Sequence, residues 1–376
     1  MGARPGILYV QAPMNDKDYV LPLPETRDRR NLVFFVARLI AQAAHRLLVT
    51  AHVEFDPDLL RVRRLPDTVF FYVGLHRSLW ETSGALVPMY EARLPLPFVG
   101  MGDNLIHGRF FQGLAKRVGL FLIRRPSSRG DMLESARRLR GDVLGYLARG
   151  LDVLLFPEGT RKNVAKRHTY GEFFPAAFEA LLEYGRNREK ICAANPGMTP
   201  REMYIVPLNV DYSQVREAHE LVDRGVGHPT TLHVFDSLSM IRNIGDTYLS
   251  YGRPMRVAEL LELDRKRLAA ESRRQCMELV KILPINVACL AMLRLDATAP
   301  FSRPQLEDAV RDVVATLAPR ADRFRGFSLG DAPSEILRRA GQRQLSFERL
   351  DPDCIPLYHL YADYVRHYLP TPPANA

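Results

Sequence analysis

The chain has 376 residues, 47% hydrophobic and 25% charged. That length predicts two domains, or one with a substantial extension, and the composition excludes a wholly disordered chain, a collagen and a small disulfide scaffold. Lysine plus arginine number 52 against 43 aspartates and glutamates, a net charge of +9 with a pI near 9.5, which points to anionic partners: nucleic acid, an anionic membrane surface or a phosphorylated substrate.

Residues 1–30 mix Pro, Asp and Arg without periodicity and read as an arm. Residues 31–50 have a helical pattern, with Arg38, Gln42, His45 and Arg46 on one polar stripe and apolar residues around the rest. Such a helix packs on a core or lies in a membrane interface with its cations toward phosphates. The apolar stretch at the amino end is too short for a secretory signal. A spanning helix needs ~20 mostly apolar residues, and Arg38 and Arg294 end the longest apolar runs at 32–37 and 287–293. Cys192, Cys276, Cys289 and Cys354 have neither C-x-x-C nor zinc-finger spacing and read as small apolar residues in a reducing compartment.

Short apolar strands then alternate with helices. Residues 69–75, 119–125, 151–156, 203–212 and 230–235 read as strands, and 131–149 as a helix stopped by Gly150. Residues 247–255 read as a further edge strand closed by Pro254. Beyond about residue 260 the pattern is helical, and the Pro-rich tail reads as disordered. The expected plan is an arm and amphipathic helix (1–65), an α/β unit (66–260) and a helical C-terminal region (261–376). Its fold class is α/β, a central mixed sheet flanked by helices.

Four segments carry chemistry. The strand at 69–75 runs into His76, with Ser78 and Glu81 following. A carboxylate five positions on can fix one ring nitrogen and leave the other basic, although a histidine at a strand end also has structural uses. The strand at 151–156 runs into Pro157, Glu158, Gly159, Thr160 and Arg161; ligands of open α/β sheets sit beyond such strand ends, glycine permits close approach and arginine offers a fork for phosphate. The strand at 119–125 delivers Arg124 and Arg125, either a solvated basic turn or an anion site. Pro207 interrupts the strand at 203–212, which suggests a bulge or a cleft wall.

The order His-Arg-Ser-x-x-acid, G-x-F-x-I-R-R, F-P-E-G-T-R and V-P-x-x-x-x-Y, over roughly 66–255, resembles the four blocks of the glycerolipid acyltransferases, the glycerol-3-phosphate and lysophosphatidate enzymes. Residues 286–310 are similar, more weakly, to the helical region beyond that core in the larger glycerol-3-phosphate acyltransferases. The resemblance implies that His76 is the general base and that Glu81 orients it. It implies that Arg124 and Arg161 bind the acceptor phosphate, with Arg125 and Thr160 as lesser candidates, and that Ser78, Glu158, Gly159 and Pro207 shape or line the pocket. Transfer is direct, with acyl-CoA or acyl carrier protein as co-substrate, no metal and no other cofactor, and the protein is expected to be cytoplasmic and peripheral to an anionic membrane surface. The family's first block is His-x4-Asp, so Glu81 is a departure that also fits a catalytically impaired, lipid- or phosphate-binding homologue. His-Arg-Ser and the C-terminal similarity lean toward glycerol 3-phosphate or dihydroxyacetone phosphate as acceptor; the proline in F-P-E-G-T-R leans toward lysophosphatidate. No nucleic-acid module is present and the arginines are not set among exposed aromatics, so nucleic acid is not an expected partner.

Overall fold

The computed structural model describes residues 50–78, 81–92, 94–103, 112–113, 115, 119–124, 129–158, 171–215, 218, 245–295, 300–341, 345, 347 and 352–370. The expected arm and amphipathic helix before residue 50, the strand at 230–235 and the tail beyond 370 lie outside the described residues.

Among the described residues eight strands form one mixed sheet: β1 (Thr50–Phe55), β2 (Thr68–Gly74), β3 (Phe98–Gly102), β4 (Leu120–Ile123), β5 (Val153–Leu155), β6 (Glu202–Tyr212), β7 (Asp246–Tyr251) and β8 (Met255–Arg256). Their order is β1-β7-β6-β2-β5-β3-β4, with β8 pairing β6. The five strands from β6 to β4 in that order run parallel. β7 and β8 run antiparallel to β6, and β1 runs parallel to β7. β2 sits in the middle, and Val69 through Val73 are wholly buried. A continuous run of Val, Phe and Tyr suits a parallel strand covered on both faces, whereas alternation would not.

The helices among the described residues are α1 (Pro57–Val62), α2 (Glu81–Glu91), α3 (Arg129–Ala148), α4 (Ala176–Ala193), α5 (Arg265–Glu278), α6 (Pro284–Met292), α7 (Arg303–Leu317), α8 (Pro333–Ala340) and α9 (Ile355–Asp363). α3 packs against α4 and against β2 and β5, and α5 packs against β6, β2 and α4. The expected C-terminal helices begin where side chains cap them. The Asp264 carboxylate accepts from the backbone of Lys266 and Arg267, and Ser302 and Gln305 form a capping box at the head of α7. The last helix is bonded to the α/β unit, where Val215 donates to the Tyr361 hydroxyl at 2.9 Å, and to its C-terminal neighbour α6, whose Asn286 amide donates to the Tyr361 carbonyl at 2.9 Å.

Two expectations need correction. The segment read as one edge strand over 247–255 is two strands, and β7 is interior, flanked by β6 and by β1. β1 stands where the sequence pattern predicts only the end of the helix and the arm. Pro207 makes no bulge on the β2 side, where the register is unbroken from Thr68↔Glu202 to Gly74↔Leu208. Its ring faces the break between β7 and β8: its carbonyl accepts from Gly252, and a Cβ on Gly252 would lie 2.9 Å from the proline ring. The donor that proline lacks would point to this same gap, so the ladder loses little.

At the amino edge of the parallel strands, Asp152 is buried just before β5. It accepts from the Phe70 backbone at 2.9 Å and pairs with Arg63 at 2.8 Å. The Arg63 guanidinium lies 4.6 Å from the centre of the Phe70 ring. Burial pushes the Asp152 carboxyl up to about 6 despite Arg63. A raised folded-state pKa means that the native protein holds the proton more tightly than the unfolded chain, so the cost of the buried charge disappears as pH falls through 6 toward 4. Urea unfolding of wild type and Asp152→Asn at pH 7.5 and pH 4.5 should shift the difference toward wild type by about 2 kcal/mol on lowering the pH. A difference that does not move would mean that Asp152 ionises normally in the fold.

Candidate active site

The register of the two central strands assembles the site. Val73 of β2 lies opposite Leu155 of β5. Three residues further along each strand are His76 and Glu158, 82 residues apart in sequence. The His76 backbone N–H donates to Glu158 Oε1 at 2.9 Å, and the Gly171 N–H donates to Glu158 Oε2 at 3.1 Å. Glu158 is thus buried and spends both oxygens on backbone. Its carboxylate holds the loop after β2.

Phe156, at the end of β5, stacks on the His76 ring with centroids 5.4 Å apart. Gly74 leaves the room for it, since a Cβ there would lie 2.9 Å from the Phe156 ring and 2.7 Å from Leu208. One face of the imidazole is therefore backed by an aromatic wall, and the side chain keeps 22% exposure.

Glu81 is the first residue of α2 and is buried. Its Oε2 lies 2.6 Å from His76 Nδ1. Its Oε1 accepts the backbone N–H groups of Arg77 and of Ser78, the latter at 2.8 Å. Glutamate in place of aspartate is accommodated without a gap: one oxygen reaches the ring while the other gathers two N–H groups. With Nδ1–H donated to Glu81, the lone pair is left on Nε2, the nitrogen able to take a proton. Burial pushes the carboxyls of Glu81 and Glu158 up, while His76 and the backbone donors pull in the opposite direction. Among the described residues no cluster of His, Cys, Asp and Glu could hold a metal ion.

The remaining candidates fall in different places. Ser78 is buried, with its backbone on Glu81. Pro207 lies opposite Val73 in the body of the sheet, below the level of His76. Arg124 follows β4, and the register through Leu154, Val99 and Leu120 brings it level with His76. It stands three strands from β2, about 14 Å at the usual strand spacing. Its side chain is 48% exposed, with Glu134 at 3.5 Å. Arg125, Gly159, Thr160 and Arg161 lie outside the described residues. The sequence reading missed the structural use of Phe156, Gly171 and Asp211. For Asp211 a signal existed: a carboxylate near the end of a mostly apolar strand, which requires a buried partner.

Fold and site together define an α/β protein with a histidine–carboxylate pair at the carboxyl edge of a mainly parallel sheet. Residues 61–211 match the family model described as Acyltransferase. A glycerol-3-phosphate acyltransferase of Alteromonas mediterranea is 24% identical over 246 residues, covering 62% of this chain and 27% of its own length. A probable mitochondrial glycerol-3-phosphate acyltransferase of Caenorhabditis elegans is 26% identical over 223 residues, covering 56% of this chain and 29% of its own. The chain thus spans less than a third of the length of these relatives. A crystal structure of the 1-acyl-sn-glycerophosphate acyltransferase of Thermotoga maritima aligns over 66% of this chain and 80% of its own, with a TM-score of 0.37 and 15% identity.

Proposed function

We propose that this protein transfers a fatty acyl group from acyl-CoA or acyl carrier protein to a hydroxyl of glycerol 3-phosphate. The observation that carries the reading is the contact between His76 Nδ1 and Glu81 beside Glu158, at the strand ends of the segment that matches the Acyltransferase model. His76 Nε2 takes the proton of the acceptor hydroxyl as that oxygen attacks the thioester carbonyl. The tetrahedral adduct then expels the thiolate, which recovers the proton from His76. The atoms balance with acyl donor and acceptor alone. Arg124 and Arg161, with Arg125 and Thr160, are the proposed phosphate ligands; holding the phosphate there fixes the hydroxyl beside the base. Glu81 orients His76. Ser78, Glu158, Gly159 and Pro207 support the pocket from outside the reacting atoms.

The product is a lipid and the chain is basic, which supports a peripheral position on an anionic membrane surface at its cytoplasmic face. Among the described residues no helix is long and apolar enough to cross a membrane.

The test is a matrix of three acceptors (glycerol 3-phosphate, dihydroxyacetone phosphate and lysophosphatidate) against palmitoyl-CoA and palmitoyl-acyl carrier protein, with product resolved by thin-layer chromatography. Glycerol 3-phosphate should be acylated fastest. Preferential acylation of another acceptor would replace the acceptor assignment, and a blank across the matrix would replace the enzyme with an impaired phosphate-binding homologue.

A further inference from the structure

Arg77 is the largest of the fully buried side chains, at 2% exposure, and the residue next to His76. A guanidinium in the interior is costly, and an apolar residue of that size would fill the space at lower cost. Here three separate parts of the chain converge on it. Arg77 Nη1 donates to Asp211 Oδ1, from β6. The carboxylate of Asp211 is itself held at Oδ2 by the Asn209 amide at 2.6 Å and by the Lys281 backbone N–H at 2.8 Å, the latter from the segment between α5 and α6. The ring of Tyr364, just after α9, covers the guanidinium, with its centre 4.4 Å from Cζ. The Arg77 backbone N–H, at the other end of the residue, donates to Glu81.

A second connection runs the same way. Arg273 of α5 donates from Nε to the Gly171 carbonyl at 2.8 Å. Gly171 donates to Glu158, and Glu158 accepts from the His76 backbone. The loop that carries His76 is therefore gripped from both sides by residues beyond 260, a region outside the matched acyltransferase segment.

The geometry points to Arg77 as a positioning residue. Clamped between Asp211 and Tyr364, it fixes the His76–Glu81 pair, so that the C-terminal helical region is part of the active-site support. The inference rests on His76 acting as the base in the acyl-transfer reading. It acts on kcat through alignment, because a displacement of about 1 Å at a reacting group is worth about a hundredfold in rate.

The experiment uses the full chain and the variants Tyr364→Leu, Tyr364→Phe, Asp211→Asn and Arg77→Lys. Each is assayed for kcat and KM with glycerol 3-phosphate and palmitoyl-CoA. In parallel, the His76 Cε1–H resonance is followed in histidine-labelled protein and assigned by its loss in His76→Ala. Tyr364→Leu and Asp211→Asn should lower kcat by about ten- to a hundredfold at nearly constant KM and move the His76 resonance, whereas Tyr364→Phe, which keeps the ring over the guanidinium, should match wild type in both. Arg77→Lys keeps the charge but loses the planar fork and should behave like Asp211→Asn. An unmoved resonance with kcat within twofold of wild type in Tyr364→Leu and Asp211→Asn would overturn the inference. If wild type acylates nothing, the acyl-transfer reading fails, and the resonance still decides whether the clamp sets the imidazole.

Discussion

Replacing His76 with alanine should lower kcat for acylation of the acceptor by about 10³-fold, the usual worth of a positioned general base, with KM changed less than about twofold. The fold should survive, because the imidazole stands at the surface of the site with 22% exposure. Its removal leaves Glu81 able to take up a proton, the direction in which burial already pushes it. A sharper form of the test is His76→Asn. The asparagine amide nitrogen falls near the place of Nδ1 and can donate to Glu81, so the contact that orders the loop is kept while the basic nitrogen is lost. Both variants should be equally inactive, with melting temperatures close to wild type. Activity of His76→Asn near the wild-type rate would remove His76 from the chemistry.

The second large effect is expected at Glu81. Its carboxylate serves three groups at once: the imidazole and the N–H groups of Arg77 and Ser78. Glu81→Ala frees the ring to adopt the wrong tautomer and strands two buried donors, each worth about 1–3 kcal/mol when unsatisfied. A loss of up to about 10³ in kcat, the full worth of the base it orients, should accompany a marked fall in melting temperature. Glu81→Asp separates the two duties. The shorter side chain reaches either the ring or the backbone donors, and a drop in kcat of about tenfold is expected with most of the stability retained. A large gain in activity with aspartate would instead mark the natural protein as impaired, and stopped-time assays on equal amounts of folded protein distinguish the outcomes.

The parts of the fold legible in the sequence are those with strong local signals. The buried runs of β2, β5 and β6 and the long amphipathic pattern of α3 announce themselves, and so do the capped helices beyond 260. β3 was missed because Phe98–Gly102 is short and two of its five residues are glycine; β1 was missed because a helical pattern precedes it. The interior place of β7 depends on a partner strand far away in sequence, and no local pattern encodes that. The same division holds at the site. His76 and Glu81 lie five residues apart and their pairing can be imagined from the chain. That Glu158 lies against the His76 backbone follows from a parallel register, and that Asp211 and Tyr364 close over Arg77 follows from packing of the last helices. Both are facts of tertiary structure.

The pairing of β1 with β7 also sets a schedule for biosynthesis. Among the described strands β1 has no neighbour in the finished sheet other than β7. Its partner leaves the ribosome on the order of 200 residues later, a wait of roughly 10–40 s at ordinary elongation rates. During that interval an exposed strand edge is open to pairing with other chains. Nascent chains stalled before residue 246 should therefore be the ones that recruit chaperones and aggregate, and chains released before Tyr364 should have the dyad without its clamp.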